Sequence, residues 1–337
     1  VTIRFLATSP RFRGPLAWLM AAGLVVAGWG GEGKTDQPAP SVYRKPEGPS
    51  PRDPLEGLDV PPPPPKTVEQ EDAAAQAERI VLSASGVIAK ARSFSVQFRQ
   101  KARVGDRVLV GTGRYLQSGL GEDQRFRFDS TLTGDTETFE YTEVSDGLFC
   151  WTFRHYGEEP AALQRVDVRR IRAKLAELKA PDAADGASYL GGLQRMIRLV
   201  RHTFRFTKAT PIDLDEQPVW LVEGSWFGPF VPIVIPQLKE QAATPEGIQP
   251  RHFPDGVPCE IRIAVGRNDL LPRRIEWLAI PGRRPVGDAP LEPIAVMDFH
   301  DAEINGPVDA TAFFYQPAIE GMVDVTDMTV SALGLMR

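Results

Sequence analysis

Cysteine is nearly absent from this sequence, with two in 337 residues, Cys150 and Cys259, and no C-x-x-C. That excludes a disulfide scaffold and a zinc ribbon. The four histidines have no i,i+4 or H-x-H spacing, so the sequence names no metal ligand. There is no Walker A motif and no G-x-S-x-G, and GTGRYLQSG (111–119) has Leu116 where a dinucleotide fingerprint needs its third glycine. No carboxylate pair is marked out as acid and base. The expectation is a protein with no cofactor, no metal and no catalytic residues. An excess of basic charge is lacking too. Lys and Arg number 39 against 44 Asp and Glu, a formal net charge of −5, which argues against a nucleic-acid partner.

Long apolar runs are scarce. The main one, PLAWLMAAGLVVAGWG over 15–30, is about 16 residues, short of the ~20 a membrane-spanning helix needs. It follows Arg4, Arg11 and Arg13 with no acid between, the layout of a secretory signal. Residues 1–30 are therefore read as a signal peptide or N-terminal anchor, and the chain as exported, periplasmic or cell-envelope, with a tether to the membrane as the alternative to cleavage. Residues 31–66 hold 11 of the 31 prolines and end in Pro61–Pro65. Such a segment cannot build a core and favours extended polyproline II geometry, so it reads as a disordered linker.

The folded part, 67–337, opens with a helix. Glu69, Glu71 and Asp72 suit its first turns, and Ile80, Ala84, Val87, Ile88 and Ala91 repeat at helical spacing. SFSVQFRQKA (93–102) then alternates with period two, as do 107–118, 125–132, 137–144 and 148–156, separated by short turns. Two helices follow, over 168–180 and along the stripe Leu190, Leu193, Ile197, Val200. Strand character returns at 202–209, 218–227, 259–266, 272–280 and 294–304. Layer logic gives an α+β fold, one long antiparallel sheet with helices over one face. WFGPFVPIVIPQL (226–238) is apolar but broken by Pro229, Pro232 and Pro236, which exclude a central strand or a stable helix. It reads as a flap carrying Phe227, Phe230, Ile233 and Ile235, or as a buried connection. Cys150 and Cys259 both fall on strands, paired or separately buried.

The order of pieces resembles the bacterial periplasmic lipoprotein carriers, the LolA-like outer-membrane lipoprotein-sorting family. The resemblance runs from about 78 to 330. It is carried by SFSVQFRQ, RFRFD (125–129), the hairpin VSDGLFCWTF (144–153), NDLLPRRIEW (268–277), the closing element FHDAEINGPVDATAFFYQP (299–317), and Gly321, Val323, Asp324 and Val325. The Pro-rich linker and the long 228–258 connection depart from the family pattern.

The resemblance implies a strongly curved antiparallel sheet, an incomplete barrel, covering a few helices, with an apolar cavity between the layers that takes acyl chains. It implies lipid or lipoprotein acyl chains as ligand, donor or acceptor proteins at the inner or outer membrane as partners, a monomer, and transport rather than catalysis. Phe94, Phe98, Phe126, Phe128, Trp151, Phe153, Trp220 and Trp277 are the expected cavity lining, with Trp226 also on a strand; ordinary core is the alternative for each. An arginine that holds the lid by bonds to backbone carbonyls is expected at Arg125 or Arg127. The same fold as a scaffold or sensor module for a partner protein is the competing function.

Overall fold

The computed structural model describes residues 68–177, 191–228, 231–244, 247–280, 290–317 and 321–332. The signal or anchor at 1–30, the linker at 31–66, and Phe230 among the flap residues lie outside the described residues, as does the side chain of Ile233.

Helix α1 (Val68–Lys90) leads into five strands, β1 (Ser93–Val104), β2 (Arg107–Ser118), β3 (Arg125–Thr133), β4 (Thr138–Ser145) and β5 (Phe149–Tyr156). A sixth, β6 (Ala162–Asp167), runs directly into α2 (Val168–Glu177). Helix α3 (Gly192–Thr203) precedes β7 (Phe204–Leu214) and β8 (Gln217–Trp226). Single helical turns at Val231–Val234 and Lys239–Ala242 flank a tighter turn at Pro236–Leu238, as the prolines require. Then come β9 (Glu260–Gly266), β10 (Pro272–Ala279), β11 (Glu292–Ile304), β12 (Met322–Asp324) and α4 (Thr326–Ala332).

The twelve strands of the described residues join one open, curved sheet in the order β12-β6-β5-β4-β3-β2-β1-β11-β10-β9-β8-β7. Every pairing is antiparallel except β12 with β6, which is parallel. The long excursion from β1 to its neighbour β11 makes the chain's two halves meet at the middle of the sheet. Register shifts interrupt the β1–β11, β9–β10, β10–β11 and β7–β8 pairs, where extra residues add local twist. The expected α+β arrangement, a curved and mostly antiparallel sheet with a few helices, is the one observed. β6 and β12 are additions, too short and too mixed in pattern to be read from the sequence.

Strand alternation sends one set of side chains to the helices and the other to the opposite face. The helix side buries Phe94, Val96 and Phe98 of β1, Phe126 and Phe128 of β3, Ile261, Ile263 and Val265 of β9, and Ile275 and Trp277 of β10 in one continuous core. Helix α1 lies over β7, β8 and β9, and α3 packs on α1, β3 and β7. Helix α3 contributes Leu193, Met196, Ile197 and Val200, a stripe at helical spacing as the sequence suggested.

Candidate functional site

The helix-covered face carries a row of residues that face one another strand by strand. Arg154 on β5 stands opposite Tyr141 on β4, Tyr141 opposite Ser130 on β3, and Ser130 opposite Gly113 on β2. Gly113 faces Phe98 on β1, which faces Phe299 on β11. Gly113 is required here because the Phe98 ring occupies the place where a Cβ would stand. Phe98 stacks on Phe128 at 5.0 Å between centroids and meets Phe299 edge-on at 6.0 Å. Tyr141 meets Phe128 edge-on at 6.1 Å. An aromatic strip thus runs across the strands from β4 to β11, with an arginine at its β5 end.

Of the expected lining, Phe94, Phe98, Phe126 and Phe128 share this face, each at most 3% exposed; Phe98 packs on Phe128 and Phe94 on Tyr115. Trp277 is buried on the same face, its indole Nε1 without a hydrogen-bond partner among the described residues. Trp220 is partly buried there, with the Arg267 guanidinium 5.2 Å from its ring. Trp226 is buried and donates Nε1–H to the Pro258 carbonyl at 2.6 Å. Trp151 and Phe153 lie apart from these. Register puts them in line with Val144, Arg165 and Leu163, on the face away from the helices. There Trp151 packs near Tyr315 at 6.3 Å, and Arg165 lies over Phe149 and Trp151 at 4.8 and 5.7 Å.

The helices are fastened by polar side chains the sequence reading passed over. Gln117 on β2 is fully buried. Its Nε2 donates to the Ile88 and Ala91 carbonyls at the end of α1, at 3.1 and 3.4 Å. Its Oε1 accepts from Tyr115 Oη at 3.0 Å and from Gln194 Nε2 of α3 at 2.7 Å. Glu143 on β4 accepts from the Gly192 backbone N–H at the start of α3 at 2.6 Å, and its other oxygen lies 3.5 Å from Arg195 Nη1. Gly191 and Gly192 permit this: a Cβ on the first would strike the Glu143 carboxylate, and the second adopts φ +66°. Burial pushes the Glu143 carboxyl above its ordinary range, against the opposing pull of Arg195 and the Gly192 N–H. Arg201 of α3 pairs with Glu78 of α1 at 3.3 Å. Arg172 of α2 donates to the Glu122, Gly147 and Gly121 carbonyls at 2.6, 3.2 and 3.4 Å. A signal existed in the strand alternation, since Gln117 and Glu143 are polar residues at positions whose neighbours two residues away are Tyr115 and Tyr141.

Arg125 and Arg127 sit on the face opposite the helices. Arg125 is exposed. Arg127 donates Nε–H to Asp129 at 2.7 Å and Nη1–H to the Ala312 carbonyl at 3.2 Å. It therefore does bind a backbone carbonyl, but that of the turn Ala310–Phe313 rather than of a helix over the apolar face. A groove of about 1020 Å³ crosses this outer face over β11, β1, β2 and β3, among Arg99, Arg114, Arg127, Asp129, His300 and Glu303. Of the flap residues, Phe227 lies under the Arg205 guanidinium at 3.9 Å, and Ile235 is buried with Val231 and Leu238. Cys150 and Cys259 are both buried and free. No group of three or more His, Cys, Asp or Glu side chains able to hold a metal occurs among the described residues.

No protein-family model matches the chain, and no curated protein matches it. Solved structures similar to it include a DUF1329 family protein from Desulfovibrio piger, 10% identical with a TM-score of 0.30, covering 72% of this chain and 98% of that one. A putative outer membrane lipoprotein-sorting protein domain from Vibrio parahaemolyticus is 8% identical with a TM-score of 0.28, covering 71% and 97%. A LolA superfamily protein from Nitrosomonas europaea is 11% identical with a TM-score of 0.25, covering 71% and 97%.

Proposed function

We propose that this chain is a non-enzymatic, exported carrier that holds the acyl chains of a lipid or lipoprotein between α1, α3 and the apolar face of the sheet. The observation that carries the reading is the way the two layers are joined. The sheet face under the helices is aromatic and aliphatic from β4 to β8, yet the hydrogen bonds and ion pairs fastening the helices sit at Gln117, Glu143, Arg201 and Arg172. Release of a few polar clips would free a continuous apolar surface, and a hydrocarbon chain gains about 0.8 kcal/mol for each methylene it buries there. The order of motifs from 78 to 330 supports the same reading, and residues 1–66 would supply the export signal and a spacer from the membrane.

The test is direct. Purified protein should carry co-purifying lipid in native mass spectra, or, once delipidated, take up the fluorescent fatty acid cis-parinaric acid in a saturable way. A ligand-free mass and no probe uptake would overturn the proposal. A second reading, a scaffold for a partner protein, is favoured by one feature of the other face. Phe314 is 68% exposed beside the Tyr315–Trp151 pair. Capture of a defined envelope protein that Phe314→Ala abolishes, with no lipid bound, would select it.

A further inference from the structure

Arg154 is out of keeping with its surroundings. It projects from β5 toward the helix-covered face, since it stands directly opposite the fully buried Tyr141. Its Nε is sealed from solvent and has no hydrogen-bond partner among the described residues. Among the described residues its guanidinium forms no hydrogen bond or ion pair, only a longer-range attraction to Glu143. An arginine taken out of water normally finds a carboxylate, because an unpaired buried charge is costly. The nearby carboxylate, Glu143, is already engaged by the Gly192 N–H and by Arg195. Tyr141 and Cys150, which share this face, stay neutral, their burial holding both pKa values well above the ordinary range, so neither supplies Arg154 with a counter-charge.

The aromatic strip begins at the same point. From Arg154 the cross-strand row runs through Tyr141, Ser130, Gly113 and Phe98 to Phe299, six strands in all, or about 24 Å at ~4.8 Å per strand step. A cationic end followed by an apolar track matches an amphiphile with one anionic group at the end of its chain. Arginine suits the task because its planar fork pairs with carboxylate or phosphate through two parallel bonds.

We propose that Arg154 is the docking point for the anionic headgroup of the ligand, a carboxylate or phosphate, whose hydrocarbon lies along Tyr141, Phe128, Phe98 and Phe299. The inference rests on the acyl-chain reading above and adds to it the polarity and direction of the bound molecule. It also gives the buried Arg154 Nε, unpartnered among the described residues, a partner in the ligand.

The experiment compares cis-parinaric acid with its methyl ester on delipidated wild type, Arg154→Gln and Arg154→Lys, with thermal unfolding of each. Wild type should favour the acid over the ester by about ten- to a hundredfold, the range of a charge-assisted pair. Arg154→Gln should lose that preference while binding the ester as before. Arg154→Lys should keep part of it, as a point charge without the fork. Arg154→Gln should unfold at the same temperature as wild type or higher, because it removes an unpaired charge. Dodecyl phosphate should displace the acid and inorganic phosphate should not, which separates a lipid headgroup from a free anion. Equal affinity of wild type for acid and ester, an undiminished preference in Arg154→Gln, or a markedly lower melting temperature for that variant would overturn the headgroup site and leave the acyl-chain reading standing. Failure of wild type to bind either probe would overturn both.

Discussion

Replacing Gln117 by Leu tests whether the helix layer is held as described. The side chain is fully buried and serves both helices at once, through the Ile88 and Ala91 carbonyls on α1 and Gln194 on α3. Leucine is close in volume, so packing changes little and the loss is polar. Two buried donors, Tyr115 Oη and Gln194 Nε2, lose their acceptor, and the α1 carbonyls lose their donor. At ~1–3 kcal/mol for each orphaned buried donor, the substitution should cost about 2–6 kcal/mol. That is a large part of the ~5–15 kcal/mol that holds a typical domain. Urea unfolding gives the free energy, and hydrogen exchange gives its location. Protection should fall in 68–90 and 192–203 first, with β1–β4 amides the last to open. Gln117→Glu should recover the acceptor half of the network but not the bonds to the α1 carbonyls. A Gln117→Leu variant within about 0.5 kcal/mol of wild type, the range of an ordinary surface change, would refute the view of Gln117 as a clip.

Glu143 gives a pH dependence of unusual sign. Its folded-state pKa lies above the ordinary value because burial disfavours the charge, so the folded protein holds this proton more tightly than the unfolded chain does. Its contribution is favourable at and below the ordinary carboxylate pKa and is lost as pH rises through the raised folded value. Denaturation from pH 4.5 upward should show that loss, and Glu143→Gln, which keeps an oxygen for the Gly192 N–H, should remove it; an identical pH profile in the variant would refute the assignment. Burial raises the Cys150 thiol well above its ordinary pKa and the Cys259 thiol to about 12. Both should resist iodoacetamide at pH 8 in the native protein and react on unfolding, with the same mass with and without reductant; a two-dalton difference would reveal a bridge. Arg127→Leu should speed exchange and proteolysis in 310–316, whose Ala312 carbonyl it holds, and leave protection of 192–203 unchanged. Loosened α3 amides would instead restore Arg127 as a latch on the helices.

Strand and helix positions were legible because side-chain periodicity reports burial directly. Phe94, Val96 and Phe98 alternate with polar residues in the sequence and line one face in the structure. The same pattern places Trp151 and Phe153, but alternation states only that they share a face, not which one. Register along β5 decides it, with Cys150, Thr152 and Arg154 toward the helices and Trp151 and Phe153 away. Both faces of β5 carry apolar residues, Cys150 on one and Phe149, Trp151 and Phe153 on the other, so hydrophobicity could not make the distinction. Arg127 illustrates a related limit. A resemblance can suggest an arginine that binds a carbonyl, but which segment brings that carbonyl, here Ala312 some 185 residues away, is a property of the folded chain. Gln117 and Glu143 escaped notice for the opposite reason. Polar residues on strands are ordinarily solvated, so sharing a face with Tyr115 and Tyr141 outweighs that expectation only once the helices are in place.

The energetic balance of opening the helix layer bears on which ligands such a fold can hold. Helix α3 buries Leu193, Met196, Ile197 and Val200 against α1 and the sheet. At ~1.5–3 kcal/mol for each such side chain, lifting the helix exposes surface worth about 6–12 kcal/mol. A hydrocarbon recovers about 0.8 kcal/mol for each methylene buried, so roughly 8–15 methylenes offset the cost. A short-chain acid should therefore leave the helices in place, whereas a chain of membrane-lipid length shifts the balance toward the open form. Uptake should show a threshold in chain length near that range, and Leu193→Ala should move it to shorter chains, since the smaller side chain weakens the closed state by ~2–5 kcal/mol. A smooth rise in affinity from the shortest acids upward, unchanged in Leu193→Ala, would mean that the ligand does not compete with α3 for the sheet.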